Sequence, residues 1–167
     1  MSQEVDWEAV YAELEPRVYN FFRYRVGDDL LSQDLTAATF EKAWRGRMRY
    51  RRNLGSFSTW LFTIARNAAA DHFRRPRREV PLDELYDQAN PASVEEAVQR
   101  NQDFSRLSSL LAQLPERDRE LIAFKYGGRL TNRQIARLTR LSESNVGTIL
   151  SRTVQKLHAE WEVEDER

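Results

Sequence analysis

An all-α chain of two small helical domains joined by an acidic flexible linker is what this sequence predicts, on three observations. Its apolar residues recur at helical spacing and nowhere alternate for the length of a strand. That periodicity lapses once, between Pro76 and Pro91, in a stretch holding three prolines and the acidic run Asp83-Glu84-Leu85-Tyr86-Asp87. The 167 residues are enough for one domain or two small ones. The expected organisation is therefore a helical bundle over 1–76, a linker over 77–92, a second helical unit over 93–158 and an acidic tail over 159–167.

The first helical pattern places Val10, Tyr11, Leu14, Val18, Phe21, Phe22 and Val26 on one broad face, with Gly27 ending it. Pro16 lies inside, so a break or kink with a restart is expected there. The second helix should run from about Asp29 to Arg45. Leu31, Leu35, Ala38 and Lys42 share one side, and Asp34, Ala37, Glu41 and Trp44 share another. The latter stripe mixes carboxylates with a large aromatic, so it is not a normal core face; its plain reading is a solvated face with one rim tryptophan. A basic loop, Gly46 to Gly55, carries Tyr50 among its arginines. Ser56 caps a third helix reaching about Arg75, with Phe57, Trp60, Leu61, Ile64, Ala65, Ala68 and Phe73 inward and Thr59, Thr63, Arg66, Asn67 and Arg74 on the polar face.

Beyond the linker, Ser93-Val94-Glu95-Glu96 reads as a capping box, and Val94, Ala97, Val98, Phe104, Leu107, Leu111 and Leu114 hold a helical period. Pro115 should open a further helix at its N1 position, ending at Gly127-Gly128. Thr131-Asn132-Arg133-Gln134 is a second capping box. Ser142 caps a long last helix whose inward stripe is Val146, Ile149, Leu150, Thr153, Leu157 and Trp161. Units of this size bury only about 60% of their unfolded surface, so each should be marginal alone and gain from docking.

Composition narrows the chemistry. There are no cysteines, which excludes disulfides, thiolate metal sites and Cys nucleophiles. No glycine-rich phosphate loop, HExxH or nucleophile elbow occurs, and the two histidines, His72 and His158, lie far apart. A non-enzyme without catalytic residues, metal or cofactor is expected. The acidic start, Met1 to Asp6, has no apolar core and no segment is apolar enough to insert in a membrane, so a cytoplasmic protein is expected.

Lys+Arg and Asp+Glu are equal at 26 each, but the balance is one of blocks. From Arg45 to Arg78 there are ten basic residues against one acidic, and from Arg106 to His158 ten against four. Acidic residues dominate the segments between and around them. Both basic blocks coincide with candidate nucleic-acid elements. Thr131 to Leu157 has the pattern of a helix-turn-helix, in which the start of the second helix enters the major groove. Ser144, Asn145, Thr148 and Arg152 point outward there, together with Glu143, and are types that read base edges. Arg133 and Arg137 are placed for backbone phosphates. An ordinary αα-hairpin would show the same periodicity. In the first basic block, arginines interleaved with Trp44, Tyr50, Phe57 and Trp60 combine phosphate attraction with stacking surfaces for unpaired bases. Phe57 and Trp60 also suit a core.

Two segments together resemble the extracytoplasmic-function (ECF) sigma factors of bacterial transcription. They are Asp34-Leu-Thr-Ala-Ala-Thr-Phe-Glu-Lys-Ala-Trp-Arg45 with Gly55-Ser-Phe-Ser-Thr-Trp-Leu-Phe-Thr-Ile-Ala-Arg-Asn-Ala-Ala-Ala-Asp-His-Phe-Arg-Arg75, and Leu114-Pro-Glu-Arg-Asp-Arg-Glu-Leu121 through Arg133-Gln-Ile-Ala136, Leu141-Ser142, Val146 and Leu157. The first resembles the family's region 2 and the second its region 4. The resemblance implies docking of Asp34, Leu35, Phe40, Glu41 and Trp44 on the β′ clamp helices of core RNA polymerase. It implies −10 DNA contacts by Arg49, Tyr50, Arg51, Arg52, Asn53, Ser56, Thr59, Thr63, Arg66 and Asn67. It implies −35 contacts by Arg133, Arg137, Ser144, Asn145, Thr148, Arg152 and Lys156, a further contact with the polymerase β flap, and control by an anti-sigma factor. Two departures stand out: Arg140 occupies a turn position that is often glycine, and Val146-Gly147-Thr148-Ile149 replaces a more basic Val-Lys-Ser-Arg pattern. The alternatives are a stand-alone helix-turn-helix regulator and a sigma-like protein-binding adaptor.

Overall fold

Each well-capped helix begins where a short polar side chain supplies the acceptor. In the computed structural model, which describes residues 5–75 and 94–167, α1 spans Trp7–Val26, α2 Asp29–Arg45, α3 Phe57–Arg74, α4 Val94–Ala112, α5 Glu116–Ile122, α6 Asn132–Thr139 and α7 Glu143–Asp165. Asp6, Asp28, Ser56, Thr131 and Ser142 each accept the backbone N–H of the residue three further on. Thr131 and Gln134 close the expected capping box. Pro115 stands at the N-cap of α5, one place before the expected N1. The linker and the box at Ser93 lie outside the described residues.

Helix α1 runs unbroken through Pro16, against the expected break. The ring removes one backbone hydrogen bond, but Pro16 and Ala12, whose carbonyl loses its donor, are both exposed to water. Burial of Leu14, Val18, Phe21 and Phe22 on either side of it holds the two turns in line.

The inner face of α2 also differs from the apolar stripe read off the sequence. Ser32, Thr36, Thr39, Phe40 and Ala43 are buried, whereas Leu35 is half-buried and Ala38 and Lys42 are exposed. The three hydroxyls donate to the carbonyls of Asp28, Ser32 and Leu35, four residues back, so they lie inside satisfied and short enough for α1 to approach closely.

Both anticipated halves are present, α1–α3 and α4–α7, and each covers the other. A single apolar core runs from Leu14, Val18 and Phe21 through Leu61 and Phe62 to Leu121, Phe124, Leu130 and Ile135. At its centre the Phe21 and Phe124 rings stack with centroids 4.7 Å apart, and Phe62 meets both edge-on. The chain after α5 widens into a π-helical turn, Ala123–Gly127, which brings Gly127 against the backbone of α1. A Cβ on Gly127 would lie 2.6 Å from the Asn20 carbonyl oxygen and 2.9 Å from the Phe21 Cα, so only glycine allows this approach. Phe62 and Ala69, absent from the sequence-derived core face of α3, are buried, and Phe62 packs on the second half; Phe73, expected inward, is 44% exposed.

The acidic end of the chain is helical. Helix α7 continues to Asp165, and Arg106 of α4 donates to Glu164 and Asp165 at 2.8 and 2.7 Å and to the Trp161 carbonyl, its guanidinium lying over the Trp161 ring. Arg140 closes α6 in the left-handed region, at φ 61°. A residue with a Cβ is strained there by roughly 1 kcal/mol, so Arg140→Gly is expected to raise unfolding free energy by about 0.5–1 kcal/mol in urea titration.

Candidate polymerase and nucleic-acid interfaces

The outward stripe of α2 carries Asp34, Ala37, Glu41 and Trp44, all exposed, with Leu30 at its start. Phe40 is 9% exposed and packs edge-on to Tyr11, and Leu35 leans on the core, so these two back the stripe and do not form it. Trp44 is 49% exposed but not loose. The Trp7 ring meets it edge-on at 5.3 Å, and Arg47 lies 4.0 Å over its face while donating to its carbonyl at 2.8 Å. No sequence pattern marks Trp7, because the pairing needs the start of α1 to lie beside the end of α2.

The basic loop consists of two short 3-10 turns, Arg47–Arg49 and Arg52–Leu54. Arg49, Arg51, Arg52 and Asn53 are exposed along it. Tyr50 turns inward instead: its ring packs at 5.2 Å on Phe57 and 5.4 Å on Trp60, and its hydroxyl donates to the Gly55 carbonyl at 3.2 Å. Beneath the loop, where α2 meets α3, lies a cleft of about 300 Å3 lined by Lys42, Arg45, Gly46, Arg49, Trp60 and Ile64. Indole and isoleucine form its apolar part, and three cations provide the charge, of which Arg45 also pairs with Glu41 at 2.6 Å. Lys42, Arg45 and Ile64 are not among the expected site residues, and for Trp60 the sequence leaves both the core and a base-stacking surface open. Only the packing of α2 on α3 brings these positions together, and no spacing within either helix announces it.

Along the polar face of α3, Ser56 and Thr59 share a hydrogen bond at 2.9 Å, and Thr63 donates to the Thr59 carbonyl. Ser56, Thr63 and Asn67 are exposed and Thr59 is half-buried. Arg66, between them, is turned toward the second half. Its Nε and Nη2 donate to Glu120 Oε1 at 3.0 and 2.9 Å, and its Nη1 donates to the Leu138 carbonyl at 2.7 Å.

Other arginines line the same seam. Arg17 donates to the Gly128 carbonyl at 2.8 Å and Arg119 to the Tyr24 carbonyl at 3.0 Å. Arg25 is 7% exposed and lies over Phe73. Burial lowers the pKa of all three below the ordinary arginine value; Glu13 opposes this at Arg17, and Glu120 and Glu116 oppose it at Arg25.

In the second half, α6 and α7 form the helix-turn-helix, joined at Arg140, Leu141 and Ser142. Arg133 and Arg137 of α6 are exposed, as are Ser144, Asn145, Thr148, Arg152 and Lys156 of α7. Ser151 and Gln155 share that outward stripe and complete it; helical spacing from Ser144 and Thr148 would have found them. Gly147 sits at the edge of this face, its missing Cβ position 3.5 Å from the Asn132 amide nitrogen.

Family models for sigma-70 region 2 and sigma-70 region 4 match residues 10–79 and 104–157. Over 149 residues the chain is 30% identical to the ECF RNA polymerase sigma factor RpoE of Cereibacter sphaeroides, covering 87% of this chain and 81% of that one. The chain belongs to the ECF sigma factors. It is also 32% identical over 152 residues to BldN of Streptomyces coelicolor, covering 89% of this chain and 57% of that protein, and 27% identical to SigM of Bacillus subtilis, covering 91% and 93%. Two solved structures share the fold. RpoE of Bartonella quintana, solved with the anti-sigma factor NepR, has a TM-score of 0.70 at 18% identity, covering 95% of this chain and 98% of that one. CnrH, solved with the cytosolic domain of CnrY, has a TM-score of 0.66 at 21% identity, covering 94% and 88%. Among the described residues no helix is long and apolar enough to cross a membrane.

Proposed function

We propose that this ECF sigma factor binds core RNA polymerase through the α2 stripe and directs it to promoters with separate −10 and −35 elements. Asp34, Glu41 and Trp44 make the polymerase contact, on the β′ clamp helices, with Leu35 and Phe40 positioning them. The second half lies against the β flap. Arg133 and Arg137 hold phosphates while Ser144, Asn145, Thr148, Arg152 and Lys156 face the −35 groove, joined by Ser151 and Gln155. The exposed loop residues Arg49, Arg51, Arg52 and Asn53 and the α3 residues Ser56, Thr59, Thr63, Arg66 and Asn67 follow the −10 strand, and Tyr50 shapes the cleft from behind. The factor works in the cytoplasm, catalyses no reaction of its own and is held in check by an anti-sigma factor.

The observation that carries this reading is the cleft between α2 and α3. An apolar floor edged by Lys42, Arg45 and Arg49 suits one unstacked base and its phosphates. Capturing that base offsets the loss of its pairing and stacking, so DNA opens without nucleotide hydrolysis. The cations give the test. In holoenzyme titrations of a pre-opened promoter bubble, Arg45→Ala with Arg49→Ala should lower the slope of log affinity against log salt by about 1.4, roughly 0.7 for each single-strand phosphate no longer neutralised. An unchanged slope contradicts the cleft's role. For the −35 face, Arg152→Ala should cost about 1–3 kcal/mol and relax preference at one base pair, read from competition binding with each base pair changed in turn.

A further inference from the structure

A carboxylate stands at the start of the recognition helix, beside a stripe made of hydroxyls, amides and cations. Glu143 is the first residue of α7, is exposed, and among the described residues makes no hydrogen bond or ion pair. Capping does not require it, because Ser142 already accepts the Asn145 N–H at 3.0 Å. A backbone phosphate is repelled by its charge, although the start of a helix otherwise favours one. What an ionised carboxylate takes in a major groove is a donor, since it can only accept. The base edges offer two, N4 of cytosine and N6 of adenine, and adenine sets its acceptor N7 beside the donor. Cytosine is therefore the better partner.

The residue one turn on decides whether that carboxylate is free. Side chains four apart face the same way on a helix, and a lysine or arginine there would pair with Glu143. Gly147 holds that place, with no side chain to neutralise the carboxylate or to fill the space beside it. A Cβ on Gly147 would have one neighbour within 4 Å outside its own helix backbone, the Asn132 amide nitrogen at 3.5 Å. The edge of the face turned toward α6 is thus left open next to Glu143.

We infer that Glu143 is a specificity-determining residue of the −35 contact: its carboxylate accepts the N4 amino group of a cytosine, and Gly147 keeps it free to do so. This rests on the reading of α7 as the −35 recognition helix. Against guanine O6 and N7 or thymine O4, acceptor faces acceptor and nothing offsets the lost hydration of the carboxylate. Glu143 therefore acts largely by rejection, lowering general affinity while sharpening the choice at one base pair.

Holoenzyme formed with wild-type, Glu143→Ala or Glu143→Gln chain is offered duplex templates randomised upstream of a common transcribed sequence, and the bound templates are sequenced. Wild type is expected to enrich one C·G pair in the upstream block about five- to tenfold over the other pairs. Glu143→Ala should lose that enrichment and no other. Glu143→Gln should move it to A·T, since a carboxamide both donates to N7 and accepts from N6. Gly147→Lys should flatten the same position while binding all templates more tightly, because the introduced amine pairs with Glu143. Melting temperatures of the variants separate these effects from the favourable placement of a carboxylate at a helix start, which changes stability and leaves base preference alone. The assignment is overturned if Glu143→Ala binds every template more tightly with unchanged preferences, which is simple phosphate repulsion, or if Glu143→Gln or Gly147→Lys keeps the wild-type preferences. An upstream block absent from the wild-type selection sinks the −35 reading of α7 itself. A block that Arg152→Ala relaxes and Glu143→Ala does not leaves that reading standing and removes Glu143 from it.

Discussion

Replacing Phe21 by alanine is expected to destabilise both halves of the chain as one. The ring touches Phe22, Phe62 and Phe124, is fully buried, and stands where α1 meets the π-helical turn of the second half. Removing a buried phenylalanine side chain costs about 3–5 kcal/mol, because transfer energy is lost and the cavity closes only in part. A domain's whole stability is about 5–15 kcal/mol, so the variant keeps little margin. The four tryptophans are usefully divided, Trp7, Trp44 and Trp60 in the first half and Trp161 in the second. Urea unfolding followed by fluorescence of variants that retain one set or the other should give a single shared midpoint, lowered together by Phe21→Ala. A lowered midpoint in the first half alone would show that the halves do not support each other.

The largest functional effect is expected at Trp44. It combines three properties of an interface anchor: half its surface is exposed, its orientation is fixed by Trp7 and Arg47, and it ends an exposed stripe that carries the carboxylates of Asp34 and Glu41. A tryptophan buried at the centre of an interface contributes at least about 2 kcal/mol on truncation to alanine. Trp44→Ala should therefore weaken binding to core polymerase by roughly 30-fold or more. Fluorescence anisotropy of labelled chain titrated with core enzyme reads this directly. The substitution removes little core, so the melting temperature should move far less than for Phe21→Ala. Wild-type affinity in a folded variant would remove Trp44 from the interface.

Local chemistry was legible in the sequence where a single cap residue starts or ends a helix. Ser56, Thr131 and Ser142 cap the helices they were expected to cap, Gly27 ends α1 in the left-handed conformation, and the helix-turn-helix stands where its caps place it. Readings that depended on hydropathy alone fared less well. The buried face of α2 consists largely of hydroxyls bonded to their own helix, which no apolar period reveals. Phe62 was hidden because its neighbours Phe124 and Arg17 belong to different helices far apart in sequence. Pro16 misled for a related reason, since tertiary burial outweighed a local penalty.

The candidate site divides in the same way. Helical phase alone predicts that Ser144, Asn145, Thr148 and Arg152 face outward, and they are exposed on one stripe. The cleft edged by Lys42, Arg45 and Arg49 was missed, because it is a property of two helices crossing. A DNA contact by Arg66 is what the resemblance to the sigma family implies, and its engagement with Glu120 depends on the second half folding back. Charge blocks pointed to both basic surfaces but not to how arginines would be shared between DNA and the seam.

Promoter-directed transcription tests the account most directly. Core RNA polymerase, with and without the purified chain, is supplied with a library of duplex templates randomised upstream of a common transcribed sequence, and transcripts are sequenced. The expected result is chain-dependent initiation on templates that share two separated blocks, with the downstream block losing its enrichment when Arg45 and Arg49 are replaced by alanine and the upstream block relaxing at one position with Arg152→Ala. Folded chain that binds core polymerase yet yields no template-specific transcript would contradict the account, as would selection of a single block bound equally well without polymerase.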